Sequence, residues 1–241
     1  MLALPEGLLV SWYGDDFTGS AATMEVLEFA GLPSVLFLKQ PTDEQLARFP
    51  DVRGLGVAST ARAHSPEWMD EHLPAEFEFI KSTGAPICHY KICSTLDSSP
   101  SSGSVGRAID IAKPIMQSPW IPCQVAAPVM RRYQAFGNLF AAAGSDVYRL
   151  DRHPVMARHP VTPMAEADVA RHLAEQTRAQ FGLMDVENLQ QRAEEHLQQL
   201  LDEGAEVVSC DAMSQQDIET LGRLYWDSAP LFAVGSQGIE Y

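Results

Sequence analysis

Short apolar runs alternate with longer amphipathic stretches along most of the chain. The runs lie at 8–13, 34–38, 54–58, 87–92, 121–126, 207–210 and 231–234. The stretches between them predict helices at 20–30, 43–49, 65–83, 104–117, 165–181, 188–203 and 214–228, because most open at a capping residue or are bounded by Gly or Pro. This alternation is typical of βα units that build a mostly parallel sheet flanked by helices. The sequence therefore predicts a three-layer α/β fold.

The alternation stops between residues 127 and 163. Four prolines stand there among five arginines: Pro128, Pro154, Pro160 and Pro163 with Arg131, Arg132, Arg149, Arg152 and Arg158. Proline restricts the backbone and removes a hydrogen-bond donor, so the segment does not predict another βα unit. We expect an ordered but irregular excursion, and long loops of this kind often have a function.

Composition narrows the classes of protein and partner. With 241 residues, 46% of them hydrophobic, the chain can bury one sizeable core, and we predict a single α/β domain over 1–241. Its 32 acidic and 17 basic side chains give a formal charge of −15. That charge repels polyanions, so we expect no nucleic-acid or membrane partner. The negative net charge does not exclude a small anionic ligand, since a few cations and helix N-termini can form a local positive pocket.

The remaining composition indicates a cytoplasmic protein. No stretch approaches the roughly 20 apolar residues of a membrane span, and the N-terminus lacks the features of a signal peptide. The four cysteines show neither a CxxC pair nor zinc-type spacing, so we expect reduced thiols and no dedicated metal site. Self-association into a homo-oligomer is left open.

Two carboxylates directly follow the first apolar run. Asp15, Asp16, Thr18 and Gly19 stand between that run and the first predicted helix, at the strand end where open α/β sheets bind ligands. Adjacent residues of an extended segment point to opposite sides, so we expect one aspartate to face a ligand and the other to support the loop. The first could accept a proton from a hydroxyl or hold Mg²⁺ through water. An Asx-turn with a helix N-cap would use the same residues.

A hydroxyl-rich loop follows the predicted strand at 87–92. Its candidate ligand-binding residues are Lys91, Ser94, Thr95, Asp97 and Ser98. Hydroxyl donors and exposed N–H groups suit a polyhydroxy or carboxylate ligand, although such composition also suits a flexible surface loop. Since an unpaired buried lysine is costly, we expect Lys91 to meet Asp15, Asp16, Asp97 or a ligand anion. The loop does not match the phosphate-binding pattern GxxxxGK[ST].

Two Arg-His-Pro units lie in the proline-rich segment. Arg152 and Arg158 could offer guanidinium groups to a carboxylate or phosphate, with His159 beside them. Solvated side chains are the alternative. We expect Thr162 to cap the helix that contains Glu166 and Asp168.

Five spaced motifs give the chain a more specific resemblance. They are Tyr-Gly-Asp-Asp-Phe-Thr-Gly at 13–19, Lys-Ile-Cys-Ser-Thr-Leu-Asp-Ser-Ser-Pro at 91–100, Phe-Gly-Asn-Leu-Phe at 136–140, the doubled unit Arg-His-Pro…Arg-His-Pro-Val-Thr-Pro-Met at 152–164 and Val-Gly-Ser at 234–236. In this order they resemble the N-terminal, substrate-binding domain of the four-carbon acid sugar kinase family. Its members are ATP-dependent kinases of tetronates and 3-oxo-tetronates.

The resemblance implies roles for individual residues. Asp16 and Asp15 would be catalytic, with Asp16 as the general base and Asp15 orienting it or binding metal-bound water. The implied substrate-binding residues are Thr18, Gly19, Lys91, Ser94, Thr95, Asp97, Ser98, Arg152, Arg158 and His159. Gly235 and Ser236 would reach the nucleotide.

The resemblance also implies a second domain. Family members hold most of the ATP, with Mg²⁺, on a C-terminal domain to which nothing in these 241 residues corresponds. The final strand and Gly-rich turn likewise lead us to expect a further domain beyond Tyr241. We therefore expect this domain to bind a sugar acid and to be inactive as a kinase by itself.

Two other functions remain as alternatives. A non-catalytic acid-binding or interaction domain would also explain a missing nucleotide domain. Type I phosphoribosyltransferases place Asp-Asp and Thr-Gly after an apolar strand, but with more residues between them than the single Phe17 found here.

Overall fold

The computed structural model describes residues 4–241, which form eleven strands and seven α-helices. The strands are β1 Val10–Gly14, β2 Ser34–Phe37, β3 Gly54–Ala58, β4 Ile87–Lys91, β5 Ile121–Gln124, β6 Arg132–Ala135, β7 Asn138–Ala143, β8 Asp146–Arg149, β9 Phe181–Met184, β10 Val207–Cys210 and β11 Leu231–Gly235. The helices are α1 Phe17–Phe29, α2 Asp43–Leu46, α3 Pro66–Ser82, α4 Val105–Met116, α5 Val169–Ala174, α6 Val186–Asp202 and α7 Gln215–Asp227.

Eight strands form one parallel sheet. Their order is β2-β3-β1-β4-β11-β5-β10-β9, and every neighbouring pair runs parallel. The carboxyl ends of β1, β3 and β4 therefore lie side by side at one edge of the sheet. The predicted three-layer α/β fold is confirmed.

Local sequence explains where most helices begin. A side-chain oxygen accepts a hydrogen bond from a backbone N–H of the first turn in α1, α2, α4, α5, α6 and α7; the capping residues are Asp16, Thr42, Ser104, Asp168, Asp185 and Ser214. The third helix instead starts with Pro66, whose missing N–H costs nothing in the first turn.

Two buried clusters cover the two faces of the sheet. Consecutive residues of a strand point to opposite faces, so Val207 joins one cluster and Val208 the other. Buried residues of α3 and α4 belong to the first cluster, and buried residues of α6 and α7 to the second. Phe77 packs edge-on against Tyr90 in the first, with ring centroids 5.7 Å apart. The sheet is thus shielded on both faces, which leaves the ends of its strands accessible.

The segment 127–163 is more regular than we expected. As predicted, it does not form another βα unit. Its first half forms the antiparallel sheet β6-β7-β8. Arg131 and Gly137 adopt positive φ in the turns that flank β6, and Gln134 pairs with Ala212 through two backbone hydrogen bonds. The prolines stand outside these strands, and the short 3-10 turns lie at Pro128–Met130, Leu150–Arg152 and Met156–Arg158.

The predicted helix at 165–181 is wrong over most of its length. The helix α5 covers six residues only, and Asp168 rather than Thr162 caps it. The chain then turns and forms β9, which pairs with β10 at the edge of the main sheet. The sequence of this four-residue strand, which contains Gly182, does not by itself indicate a strand. Its pairing with β10 decides its conformation.

Two further properties concern the whole described chain. All four cysteines are free thiols, and Cys93 alone is partly exposed. Among residues 4–241, no helix has both the length and the apolar character that crossing a membrane would require.

Candidate functional site

A cleft of about 360 Å³ opens at the carboxyl ends of β1, β3 and β4. Loops that follow these three strands form most of its wall, and His159 and Val161 close one side. Its polar lining includes Asp16, Ser59, Arg62, Asp97 and His159, and its apolar rim is formed by Phe17 and Val161. The location is the one where parallel α/β sheets bind ligands.

Arg62 joins both aspartates of the first loop. Its Nε donates to Asp15 Oδ2 at 3.1 Å, and its Nη2 donates to Asp15 Oδ1 at 2.5 Å and to Asp16 Oδ1 at 2.9 Å. Within residues 4–241 its Nη1 has no hydrogen-bond acceptor. One guanidinium therefore fixes two carboxylates and keeps one nitrogen for a ligand.

The two aspartates have different surroundings. Asp15 is buried, and both its carboxylate oxygens accept hydrogen bonds from Arg62. Burial raises the pKa of Asp15 to about 6, although the positive charge of Arg62 opposes this shift. Asp16 lines the cleft with 29% of its side chain exposed, and in the described chain its Oδ2 accepts no hydrogen bond. The arrangement leaves Asp16 as the carboxylate that a ligand can reach.

The N-terminus of α1 faces the same place. Asp16 Oδ1 accepts from the Gly19 N–H at 2.9 Å, which caps the helix. The N–H groups of Phe17 and Thr18 precede that bond and have no acceptor within the helix. A Cβ at Gly19 would lie 2.5 Å from Asp16 Oδ1 and 2.8 Å from Lys91 Nζ, so a side chain there would displace the Asp16 carboxylate or the Lys91 ammonium. Thr18 itself is exposed.

Lys91 lies beneath the cleft. It is 2% exposed, and its ammonium donates to the Ile92 carbonyl at 2.7 Å. Burial lowers its pKa, while the nearby carboxylates of Asp15 and Glu240 act in the opposite direction. Among the described residues no aspartate forms an ion pair with Lys91, so of the expected partners a ligand anion stays a prediction.

The residues of the hydroxyl-rich loop that follows β4 make different contacts. Asp97 lines the cleft and accepts a hydrogen bond from the Thr162 hydroxyl. Ser98 is buried, where its hydroxyl donates to Gln176 Oε1 at 2.7 Å and accepts from the Val105 N–H at 3.0 Å. It therefore anchors the start of α4 and lies outside the cleft lining. Ser94 and Thr95 are partly exposed and also lie outside it.

The predicted anion-binding wall is only partly assembled. His159 lines the cleft, with its Nδ1 3.7 Å from Asp97 Oδ1. Arg152 and Arg158 are exposed and do not line it. The structure thus brings Asp16, Asp97 and His159 together, and the cation that accompanies them is Arg62.

The predicted nucleotide contacts are buried. The Gly235 carbonyl accepts from the Ile92 N–H at 2.7 Å and contacts His89 Nε2 at 3.0 Å. The Ser236 hydroxyl donates to the Val125 carbonyl at 2.8 Å and accepts from the Gly238 N–H. With their polar groups already satisfied, Gly235 and Ser236 do not by themselves fit a site for nucleotide phosphates.

A Mg²⁺ site within this domain would need a cluster of side chains that can bind a metal ion. Among residues 4–241 there is no cluster of three His, Cys, Asp or Glu side chains that could hold a metal ion.

Sequence reasoning missed Arg62 and its neighbours Ser59 and Thr60. They follow β3, which pairs directly with β1. The available signal was the polar segment Ser-Thr-Ala-Arg immediately after a predicted buried strand. In a parallel sheet such a segment lies at the same edge as the loop with Asp15 and Asp16.

Comparisons with known proteins agree with this architecture. A family model described as a sugar-binding N-terminal domain matches residues 10–241. A 3-oxo-isoapionate kinase of Paraburkholderia graminis is 47% identical over 99% of this chain and 52% of its own length. A 3-oxo-tetronate kinase of Methylobacterium radiotolerans is 28% identical over 96% of this chain and 53% of its own. The chain thus spans about half the length of the curated relatives it matches.

Solved structures share the fold. The crystal structure of Haemophilus influenzae protein HI1011 has a TM-score of 0.84 and 22% identity, covering 95% of this chain and 54% of that one. A Bordetella bronchiseptica protein, described as a domain-swapped dimer with bound citrate, has a TM-score of 0.76 and 22% identity, covering 98% of this chain and 56% of that one.

Proposed function

The chain belongs to the family of sugar-binding N-terminal domains, and on that premise we propose that it is the acid-sugar-binding part of an ATP-dependent kinase. Relatives named as kinases match it over nearly its whole length, which confirms the resemblance to the acid sugar kinases. We propose a 3-oxo sugar acid as its substrate, because both matched kinases are named for such acids.

One observation supports this function above the others. Asp16, with one free carboxylate oxygen, and Arg62, with one free nitrogen, face a single cleft. A sugar acid needs a cation for its carboxylate and acceptors for its hydroxyls. We assign the substrate carboxylate to Arg62 Nη1 and the N-terminus of α1, and the acceptor hydroxyl to Asp16 Oδ2.

The chain's own residues bind and orient in this proposal. Asp16 would accept the hydrogen bond from the hydroxyl that is to be phosphorylated, while Asp15 and Arg62 hold Asp16 in place. Alignment and charge stabilisation are the main demands of phosphoryl transfer. ATP with Mg²⁺ supplies the phosphoryl group, and we propose that residues outside these 241 hold most of it.

Calorimetry with the 241-residue chain tests the binding function. The titrants are 3-oxo-isoapionate, a 3-oxo-tetronate, the corresponding tetronates and phosphoribosyl pyrophosphate. We expect measurable binding of at least one 3-oxo acid and none of phosphoribosyl pyrophosphate. Binding of the latter alone would favour the phosphoribosyltransferase alternative, and binding of none would favour an interaction domain.

A second assay tests the kinase assignment. The same chain with ATP, Mg²⁺ and the bound acid should transfer no phosphoryl group, because its cleft holds the acceptor only. Appreciable phosphorylation of the acid by this chain alone would contradict that division of roles.

A further inference from the structure

One backbone hydrogen bond to His159 indicates which of its ring nitrogens carries the proton. The Thr162 N–H donates to His159 Nδ1 at 3.1 Å. An amide nitrogen can only donate, so Nδ1 must present its lone pair. In the neutral imidazole the proton then resides on Nε2.

Asp97 completes this arrangement through Thr162. The Thr162 hydroxyl lies between Asp97 Oδ1 and His159 Nδ1, and it has one proton to donate. Because the carboxylate can only accept, the hydroxyl donates to Asp97, and its oxygen lies 2.9 Å from Nδ1 without donating to it, so the hydrogen bond that Nδ1 accepts comes from the amide. Two loops, one after β4 and one at 159–162, thus hold the imidazole in one tautomer.

The remaining ring nitrogen is available to a ligand. His159 lines the cleft with 23% of its side chain exposed. Its Nε2 has no acceptor within the described residues. His159 therefore offers the cleft one neutral N–H donor and no acceptor.

This donor complements a group that can only accept. The cleft also contains Asp16 and Asp97, which accept, and Arg62, which is a charged donor. A hydroxyl can satisfy either aspartate, and a carboxylate pairs best with the guanidinium. A ketone oxygen accepts hydrogen bonds without donating, so it matches a neutral donor held in a fixed direction.

We propose that His159 Nε2–H binds the ketone oxygen of the substrate and selects 3-oxo acids over the corresponding 3-hydroxy acids. This inference rests on the proposed function. His159 is a specificity-determining residue, with Thr162 and Asp97 as its positioning residues.

A matched pair of ligands tests it by calorimetry. The pair is a 3-oxo acid and the same acid with that oxo group reduced to a hydroxyl, each titrated into the 241-residue chain. We expect wild type to bind the oxo acid more tightly. His159→Phe, which keeps a planar ring without a donor, should weaken oxo-acid binding about 10-fold, the value of one hydrogen bond, and hydroxy-acid binding by less than about 3-fold.

Control variants separate this role from folding. His159→Gln places an amide N–H near the position of Nε2 and should recover much of the preference. Val155→Ala changes an exposed residue of the same segment outside the cleft and should leave both affinities unchanged. Equal losses for both acids in His159→Phe, or none, would overturn the inference while leaving the proposed function intact. Failure of wild type to bind either acid would overturn both.

Nitrogen NMR of the ligand-free chain supplies an independent test. At neutral pH the His159 ring should give the shifts of the Nε2–H tautomer, and Thr162→Pro, which lacks the amide donor, should release this preference. A neutral ring protonated on Nδ1 in wild type would overturn the inference.

Discussion

Arg62 holds Asp15 with two N–H groups, from Nε to Oδ2 at 3.1 Å and from Nη2 to Oδ1 at 2.5 Å. Asp15 lies behind the cleft, whereas Arg62 lines it, and Nη2 of Arg62 also reaches Asp16, which lines it as well. The buried aspartate therefore positions the guanidinium, and the guanidinium positions the aspartate that a ligand can touch.

Replacing Arg62 should damage both stability and binding. Arg62→Gln leaves the buried Asp15 carboxylate without its cation, and breaking a buried pair costs about 3 kcal/mol of unfolding free energy. Binding of a 3-oxo acid should fall at least about 10-fold, because the carboxylate loses its charged donor. Arg62→Lys retains the charge without the two-nitrogen contact and should be intermediate in both. Urea unfolding and calorimetry measure the two effects, and wild-type behaviour of Arg62→Gln in either would contradict this role.

Asp16→Asn should separate binding from stability. Asparagine also caps helices well, so the free energy of unfolding should change by less than about 1 kcal/mol. The amide removes the charged acceptor from the cleft, and acid binding should weaken about 10-fold. Asp16→Ala, which also removes the cap, should lose about 1 kcal/mol more stability. Unchanged affinity in Asp16→Asn would show that this carboxylate does not contact the ligand.

Asp15 should make stability depend on pH in the acid range. Its folded pKa, about 6, lies above the ordinary value of 3.8. Between these values the folded chain keeps a proton that the unfolded chain releases, so the contribution of Asp15 to stability falls as pH rises from about 4 to 6 and is constant above. The predicted change is up to about 3 kcal/mol.

The control for this pH effect is Asp15→Asn, which cannot titrate. The difference in unfolding free energy between wild type and this variant should shift across pH 4–6 and level off outside it. A difference that stays constant, or that shifts in favour of wild type as pH rises, would contradict the raised pKa.

Gly56 should tolerate no side chain. It pairs with Trp12 across β1 and β3, and a Cβ would lie 2.1 Å from Trp12 Cε2. Because Trp12 is fully buried, Gly56→Ala should lose about 3 kcal/mol of stability through overpacking. Gly222 is an exposed glycine of α7 with open space around its Cβ position, so Gly222→Ala should gain up to about 1 kcal/mol. Thermal unfolding of the two variants gives the comparison, and equal melting temperatures would refute it.

Local features of the sequence were sufficient for most of the fold. The strands β1, β3, β4 and β10 coincide with short, mostly apolar runs, and Ser104 and Ser214 cap helices that begin within one residue of the prediction. These features act over a few residues, so periodicity and capping preferences reveal them. The strand β9 was missed because a partner 26 residues away, in β10, stabilises it.

By itself the sequence determined the α/β class, the parallel sheet and the presence of Asp16 and Asp97 at strand ends, because these follow from local periodicity and from the geometry of parallel strands. Only the tertiary structure decided that Arg62 joins Asp15 and Asp16, that Ser98 supports α4, and that Arg152 and Arg158 lie outside the cleft. Those outcomes depend on which loops meet when β1, β3 and β4 pair. Contacts between loops 47 or 65 residues apart are set by that packing, which no local pattern records.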